Sequence, residues 1–348
     1  LGIDTQDFEV LKQSYEELFP YEPIFFLDEI QNVPNWEKFA RRLVDQKYKV
    51  YITGSNAKML SGEIATTLGG RFFMHNIYPY SFKEYLNASN IAIPDNLDYQ
   101  NNSEIIRTFA QYFTFGGLPE LHDVPPIEKR LWLSSLYNKI FFGDLISRYS
   151  IRNDMALKVL VRKLADSVKQ PTSFNRMANV VSSTGQKIKT DTVIEYLKYL
   201  EETWLIFSIE NISSKLNDKV SNKKYYFIDN GILNLFLTDG NTSLFENMLA
   251  IHLRHHYAHE LFYYLKDVEV DFYLYDSQIA IQACYNMSDI STRNREVGDL
   301  IKFAKAFPCK KLYIVTNDEE YEMEESGFKI SVVPLWKFLI LDCLKTEV

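Results

Sequence analysis

Hydrophobic positions fall into runs whose spacing changes along the chain. Phe8, Leu11, Tyr15 and Leu18 recur at helical spacing over residues 8–19, and Pro20 and Pro23 stop that helix. "IFFLDE" follows as a short apolar run that predicts a buried strand. "NWEKFARRLVDQ" is amphipathic, with Trp36, Phe39, Leu43 and Val44 on one helical face. "YKVYITGSN" predicts a second buried strand, ending in Gly54, Ser55 and Asn56. Strand, helix, strand in this rhythm implies a βαβ unit and a mostly parallel sheet. In such sheets the polar residues that follow the strands lie where ligands bind.

Residues 87–103 are polar and Asn-rich and are expected to form a loop. "EIIRTFAQYFTFGG" and "EKRLWLSSLYNKIFFGDLISRYS" predict long helices, giving a helical linker or lid over 87–154. Three helices follow within 155–238: "MALKVLVRKLADSV", "FNRMANVVSS" and "KTDTVIEYLKYLEET", the last opened by Thr190 or Asp191 as a cap. Two strands, "LIFSIEN" and "KKYYFID", flank a polar connection. Helix, turn, helix and then a hairpin is the layout of a winged helix. From 239 to 348 the pattern reads helix, hairpin, strand, helix and two strands, a further α/β unit.

The 348 residues carry a net charge of −8, 46% hydrophobic and 24% charged residues, ordinary for a globular protein with real cores. No apolar run reaches the ~18 residues that a spanning helix needs. Cys284, Cys309 and Cys343 have no metal-type spacing and read as reduced thiols, which points to a cytoplasmic chain. An acidic total argues against coating nucleic acid nonspecifically, while leaving room for a local basic face.

The strand ending in Asp28 and Glu29 suits nucleotide hydrolysis. An Asp there holds Mg²⁺ through water, and a Glu polarises the attacking water. Ser55 or Asn56, ending the next strand, is placed to sense a γ-phosphate. Arg71 follows a Gly pair in "TTLGGRFF", within reach of a phosphate. A surface strand end with two solvated acids reads the same in isolation.

The longer motifs "FFLDEIQNVPNWEKFARRLVD", "VYITGSNAKMLSGEIATTLGGRF", "IYPYSFKEYL", "YFTFGGLPE", "YLKYLEETWLI" and "YYFIDNGI" resemble the prokaryotic AAA-type ATPases that carry a C-terminal domain of unknown function. The resemblance covers nearly the whole chain. It implies an α/β multidomain protein whose residues 1–86 form a partial P-loop NTPase sheet. It also implies ATP and Mg²⁺ as cofactors, Asp28 and Glu29 as the Walker B pair, and Asp28 as the metal residue. Ser55 and Asn56 would fall in the sensor 1 region, and Arg71 would be a phosphate-contacting or finger arginine. The family's phosphate loop, Gly-x-x-x-x-Gly-Lys-Ser/Thr, occurs nowhere in the 348 residues. Gly185-Gln186-Lys187 lacks both the earlier Gly and the following hydroxyl. That loop supplies the backbone donors, the lysine and the hydroxyl that hold phosphate and metal. Since residue 1 is Leu, the expectation is that the loop lies ahead of it in a longer protein, and that the 348 residues alone do not hydrolyse ATP.

Residues 155–229 hold 12 Lys and Arg against 8 Asp and Glu, so this segment is +4 and the remainder is −12. Arg176, Lys187, Lys189 and Lys198 are candidate phosphate contacts, with Lys219, Lys223 and Lys224 on the wing. Asp191, Glu195, Glu201 and Glu202 oppose DNA binding if they share the outward face of the third helix. The partner is then DNA or a protein cargo, with a homo-oligomer compatible and no membrane.

The C-terminal order of helix-Glu, strand-Asp and a further strand resembles the restriction-endonuclease-like fold. Working members place acids and a Glu-x-Lys around Mg²⁺. Here Glu246 and Asp271 match two positions, and the Glu-x-Lys position reads Gln282-Ala283-Cys284. A neutral Gln and a thiol do not replace a carboxylate and an ammonium, so the expectation is a degenerate, inactive nuclease-like domain. Arg295 and Glu296 could pair across the vacated site. His252, His255, His256 and His259 offer i, i+4 pairs for Zn²⁺, against the simpler reading of a solvated helix face. Taken together, the residues and the resemblance imply an ATP-dependent switch. The alternatives are a noncatalytic DNA- or protein-binding regulator and, third, a metal-dependent nuclease.

Overall fold

The computed structural model describes residues 4–55, 68–97, 102–213 and 222–341. The chain divides into two units, one of residues 1–77 with 200–204, the other of 78–199 with 205–348.

In the first unit, α1 (Thr5–Leu18) starts at a reciprocal cap: Asp4 accepts from the backbone of Gln6 and Asp7, and Asp7 accepts from that of Asp4. β1 (Ile24–Leu27) and β2 (Lys49–Ile52) pair in parallel across α2 (Trp36–Asp45), with Phe25 opposite Val50 and Leu27 opposite Ile52. This is the expected strand-helix-strand unit with parallel strands. Trp36 and Ala40 of α2 close a small core with Ile30 and Leu68, against which Phe8, Leu27 and Ile52 pack. The expectation of two fully buried strands needs correction. Both strands alternate, and only one face is covered among the described residues. Phe26 and Tyr51 lie on the open face and stack on each other 5.0 Å apart, their planes 9° from parallel.

The second unit opens with α3 (Phe82–Ala88), α4 (Ser103–Phe115) and α5 (Pro126–Asn138), which continues through Lys139–Ser147 with a wider, π-type winding. Next come α6 (Asp154–Asp166), β3 (Thr172–Ser173), α7 (Phe174–Ser183), α8 (Thr190–Glu202), β4 (Ile206–Asn211) and β5 (Asn222–Phe227). β5 pairs antiparallel with both β3 and β4. α9 (Asn230–Asn234) and α10 (Asn241–Tyr257) lead into an antiparallel meander of β6 (Leu261–Leu265), β7 (Glu269–Leu274) and β8 (Ile279–Ala283). α11 (Ile290–Ala306) crosses over to β9 (Lys311–Thr316), parallel to β8. β10 (Tyr321–Glu325) and β11 (Phe328–Pro334) form a hairpin, followed by α12 (Leu335–Phe338). Ser326 and Gly327, both at positive φ, make the mirror-image turn that suits the twist of a hairpin.

Among the described residues these strands form one nine-stranded sheet, ordered β10-β11-β9-β8-β7-β6-β4-β5-β3. Sequence patterning alone treats the wing hairpin and the last α/β unit as separate. The structure joins them, because β4 pairs in parallel with β6 at Glu210–Phe262 and Asn211–Tyr263.

Candidate functional site

At the C-terminal end of β1 the chain turns sharply, with Glu29 in the left-handed region at φ 48°. For a residue with a side chain that conformation costs about 1–3 kcal/mol, and such strain concentrates at functional sites. β2 ends beside it. Thr53 donates its hydroxyl to the Asp28 carboxylate and accepts from the Glu29 backbone N–H at 3.3 Å. Ser55 donates to Glu29 Oε2 at 3.0 Å, and the Gln31 amide donates to the same oxygen. Both acids are solvent-exposed, and oxygen donors of this kind suit a hard divalent cation. The set fits the metal-and-water half of a nucleotide site. Among the described residues it includes no glycine-lysine cradle for phosphates.

Ser55 thus stands where the sequence put it, while Asn56 lies outside the described residues. Arg71 pairs with Asp45, near the start of β2. Its partner is thus the last residue of α2 and neither Asp28 nor Glu29. Thr53 was missed, although it lies two residues before Ser55 in the same strand end.

In the second unit, Arg176, Lys187, Lys189 and Lys198 are all exposed. Asp191, Ile194 and Glu195 are exposed on the same helix as Lys198. The wing lysines do not form a basic strip. Lys219 lies outside the described residues, and Lys223 pairs with Glu210 at 3.1 Å. Lys224 corrects the expectation outright: it is wholly buried. Strand alternation turns it to the side of β5 covered by α10.

Lys224 Nζ lies 2.9 Å from Asp271 Oδ1, 3.1 Å from Glu269 Oε1 and 3.3 Å from Glu246 Oε1. Tyr226 donates to that same Glu246 oxygen at 2.8 Å. The Ala283 N–H donates to Asp271 Oδ2 at 3.0 Å. Gln282 is fully engaged: Oε1 accepts from the Asp271 N–H at 2.9 Å, and Nε2 donates to the Glu269 carbonyl at 3.1 Å and Glu296 Oε2 at 2.8 Å. Arg295 holds the other Glu296 oxygen at 2.6 Å. Burial pulls Lys224 down, but Asp271 and Glu246 outweigh it and keep the ammonium charged well past its ordinary range. Burial raises Glu246 to about 7 despite the lowering by Lys224. Cys284 sits in the apolar core beside Met287 and Val297, and burial pushes its thiol up to about 12.

The four histidines of α10 and its end do not converge. His252 faces His256 and Phe338, and His259 approaches Asp276 at 3.9 Å. His255 packs on Tyr78, where burial pushes it down to about 4. Among the described residues no group of three His, Cys, Asp or Glu is arranged to hold a metal.

A second buried acid escaped the sequence reading. Asp229 accepts from the Gly117 N–H at 2.8 Å through one oxygen, and from Gly231 at 2.8 Å and Ile232 at 3.3 Å through the other. Burial raises it to about 6 against these three bonds. Its neighbour Asn230 donates to the carbonyls of Phe113 and Leu244, both at 3.0 Å. Asn247 then pairs with Phe227 through N–H and carbonyl, at 2.8 and 3.1 Å.

An AAA domain matches residues 3–86, and a domain of unknown function, DUF8612, matches residues 106–243. The chain is 34% identical over 328 residues to an uncharacterized protein of Methanocaldococcus jannaschii, covering 90% of this chain and 74% of that protein. This chain belongs to the family of that archaeal protein, with an AAA domain at residues 3–86. It is also 32% identical over 231 residues to an uncharacterized protein of Haemophilus influenzae, covering 66% of this chain and 56% of that protein. In the AAA-domain chain, the matched AAA segment contains Asp28, Glu29, Thr53 and Ser55, and the second matched segment contains both Gly117 and Asp229. No helix among the described residues is long and apolar enough to cross a membrane.

Proposed function

We propose that the chain is the nucleotide-responsive part of an ATP-dependent switch. The observation that supports this best is the pair Asp28 and Glu29 at the end of β1, each held by a hydroxyl from the end of parallel β2, with Glu29 strained into the left-handed region. In this reading Asp28 would hold Mg²⁺ through water, and the ion would neutralise charge on the phosphates. Glu29 orients the attacking water and takes its proton, while Ser55 and Gln31 fix which Glu29 oxygen is free to do so. Arg71, held at Asp45, would serve a neighbouring subunit's nucleotide.

The moving part is the second unit, read as a winged helix fused to a nuclease-like domain. β3 pairing with β5 beside three helices supports the first, and a helix, a three-stranded meander and a crossover to a parallel strand support the second. Asp191 and Glu195 among the exposed residues of α8 favour a protein cargo over duplex DNA.

Phosphate release is the test, measured on the product of the complete gene and on the polypeptide starting at Leu1. Turnover is expected from the former, falling at least ~100-fold in Asp28→Ala and Glu29→Gln, with none from the latter. Removing a charge-stabilising or water-activating group costs this order of rate. Unchanged turnover in both variants would end the proposal.

A further inference from the structure

We infer that the Lys224 ammonium stands in the place of the divalent cation in the C-terminal α/β domain, so that its carboxylates form a closed internal ion network that takes no metal. The inference rests on the nuclease-like reading of that domain. A hydrolytic site of that type needs carboxylate oxygens that converge and remain free for the ion. Here Glu246 from α10 and Asp271 from β7 do converge, and Glu269 joins them from the same strand. What they converge on is a nitrogen already carrying one positive charge.

Other donors hold the same acids. Asp271 gives its second oxygen to the Ala283 N–H, and Tyr226 donates to the Glu246 oxygen that faces Lys224. Gln282, in the position of the missing acid, uses both ends of its amide to bridge the β7 backbone and Glu296. Glu296 is in turn neutralised by Arg295. Cys284 packs in the apolar core, and its thiol is neutral and supplies no cation there. The lysine comes from β5, the wing strand, and reaches the carboxylates because β4 and β6 fuse the wing to the C-terminal sheet. It arrives from a direction that a Glu-x-Lys motif search along β8 would not examine.

The single ammonium already sits at the point where Asp271, Glu246 and the half-exposed Glu269 meet. Expelling Lys224 for Mg²⁺ would require burying an unpaired lysine elsewhere or moving the wing strand. Leaving it in place puts a positive charge about 3 Å from any ion bound to the same oxygens, which repels that ion.

Mn²⁺ is the probe, read as loss of the free-ion electron paramagnetic resonance signal. The Asp28→Ala/Glu29→Ala protein is the background, so that the first unit contributes no site. That background is expected to bind no Mn²⁺ beyond its Asp271→Asn counterpart. Adding Lys224→Ala is expected to lower thermal stability and to create one Mn²⁺ site, which Asp271→Asn removes and Mn²⁺ partly restores in melting temperature. Lys224→Gln, which keeps a donor on a shorter stem, gives the same readout if the alanine variant does not fold. Asp271-dependent Mn²⁺ binding with Lys224 in place would overturn the substitution while leaving the nuclease-like reading intact. Destabilisation without any gain of Mn²⁺ binding in either variant would instead show that the carboxylates are not arranged as a metal site, and would sink the inference together with that reading.

Discussion

Replacing Gly116 by alanine tests a crowded junction in the larger unit. Gly116 ends α4 at φ 81° and ψ −168°, a region essentially reserved for glycine. A Cβ built there would lie 2.1 Å from both carboxylate oxygens of Asp229. Asp229 has nowhere to retreat, because both oxygens accept buried backbone N–H groups. The backbone strain costs about 1–3 kcal/mol. Displacing the carboxylate gives up two or three charge-assisted bonds at about 1.5–3 kcal/mol each. The stiffer unfolded chain returns only about 0.4–1 kcal/mol. The sum is about 3–12 kcal/mol, comparable with the whole stability of many domains. Gly327 is the control: its φ is 79°, and nothing lies within 4 Å of its added Cβ. Gly327→Ala should therefore cost only about 1–2 kcal/mol of left-handed strain. Urea unfolding followed by far-ultraviolet circular dichroism compares the two. A Gly116→Ala midpoint within ~1 kcal/mol of Gly327→Ala would refute the claim that Asp229 is immovable.

Stability should fall as pH rises from 4.5 to about 7, because Glu246 prefers to be protonated in the fold, and should level off above that. Glu246→Gln should flatten that fall, seen in the curve of melting temperature against pH; an unchanged curve would show that Glu246 does not carry the effect. Asp28→Ala and Glu29→Gln should abolish phosphate release by the whole gene product without lowering its melting temperature by more than ~2 °C, since both side chains are exposed. Duplex DNA binding through Arg176, Lys187, Lys189 and Lys198 would give a log–log salt slope of about −3.6; the acids on α8 lead us to expect a shallower one in a fluorescence anisotropy titration, and a slope that steep would restore the DNA reading.

Secondary structure was largely legible because it is written locally. The Phe8–Leu18 and Trp36–Val44 spacings, the caps and the Pro stops announce their helices, and the long helices after residue 103 lie close to where periodicity puts them, while the short strand Thr172–Ser173 and a third strand after α11, where two were expected, went unread. The Asp28–Glu29 strand end was legible for the same reason: an apolar run ending in two acids needs no tertiary knowledge. Burial was less so. Phe26 and Tyr51 read as core, yet they lie on the open face of a two-stranded sheet. Lys224 read as a wing cation because a polar residue near a hairpin is normally solvated. Only the pairing of β4 with β6, fifty residues apart in sequence, reveals that three carboxylates wait beneath it. Asp229 was hidden similarly, since its partner Gly117 lies 112 residues away.

The pairing of β4 with β6 has a mechanical consequence. Main-chain hydrogen bonds run unbroken from the short strand before α7 to the outermost hairpin, a span of eight strand spacings, or roughly 38 Å. Any load passed along the sheet from β3 to the hairpin must cross the two residue pairs that join β4 to β6, so those four residues carry the coupling between its two halves.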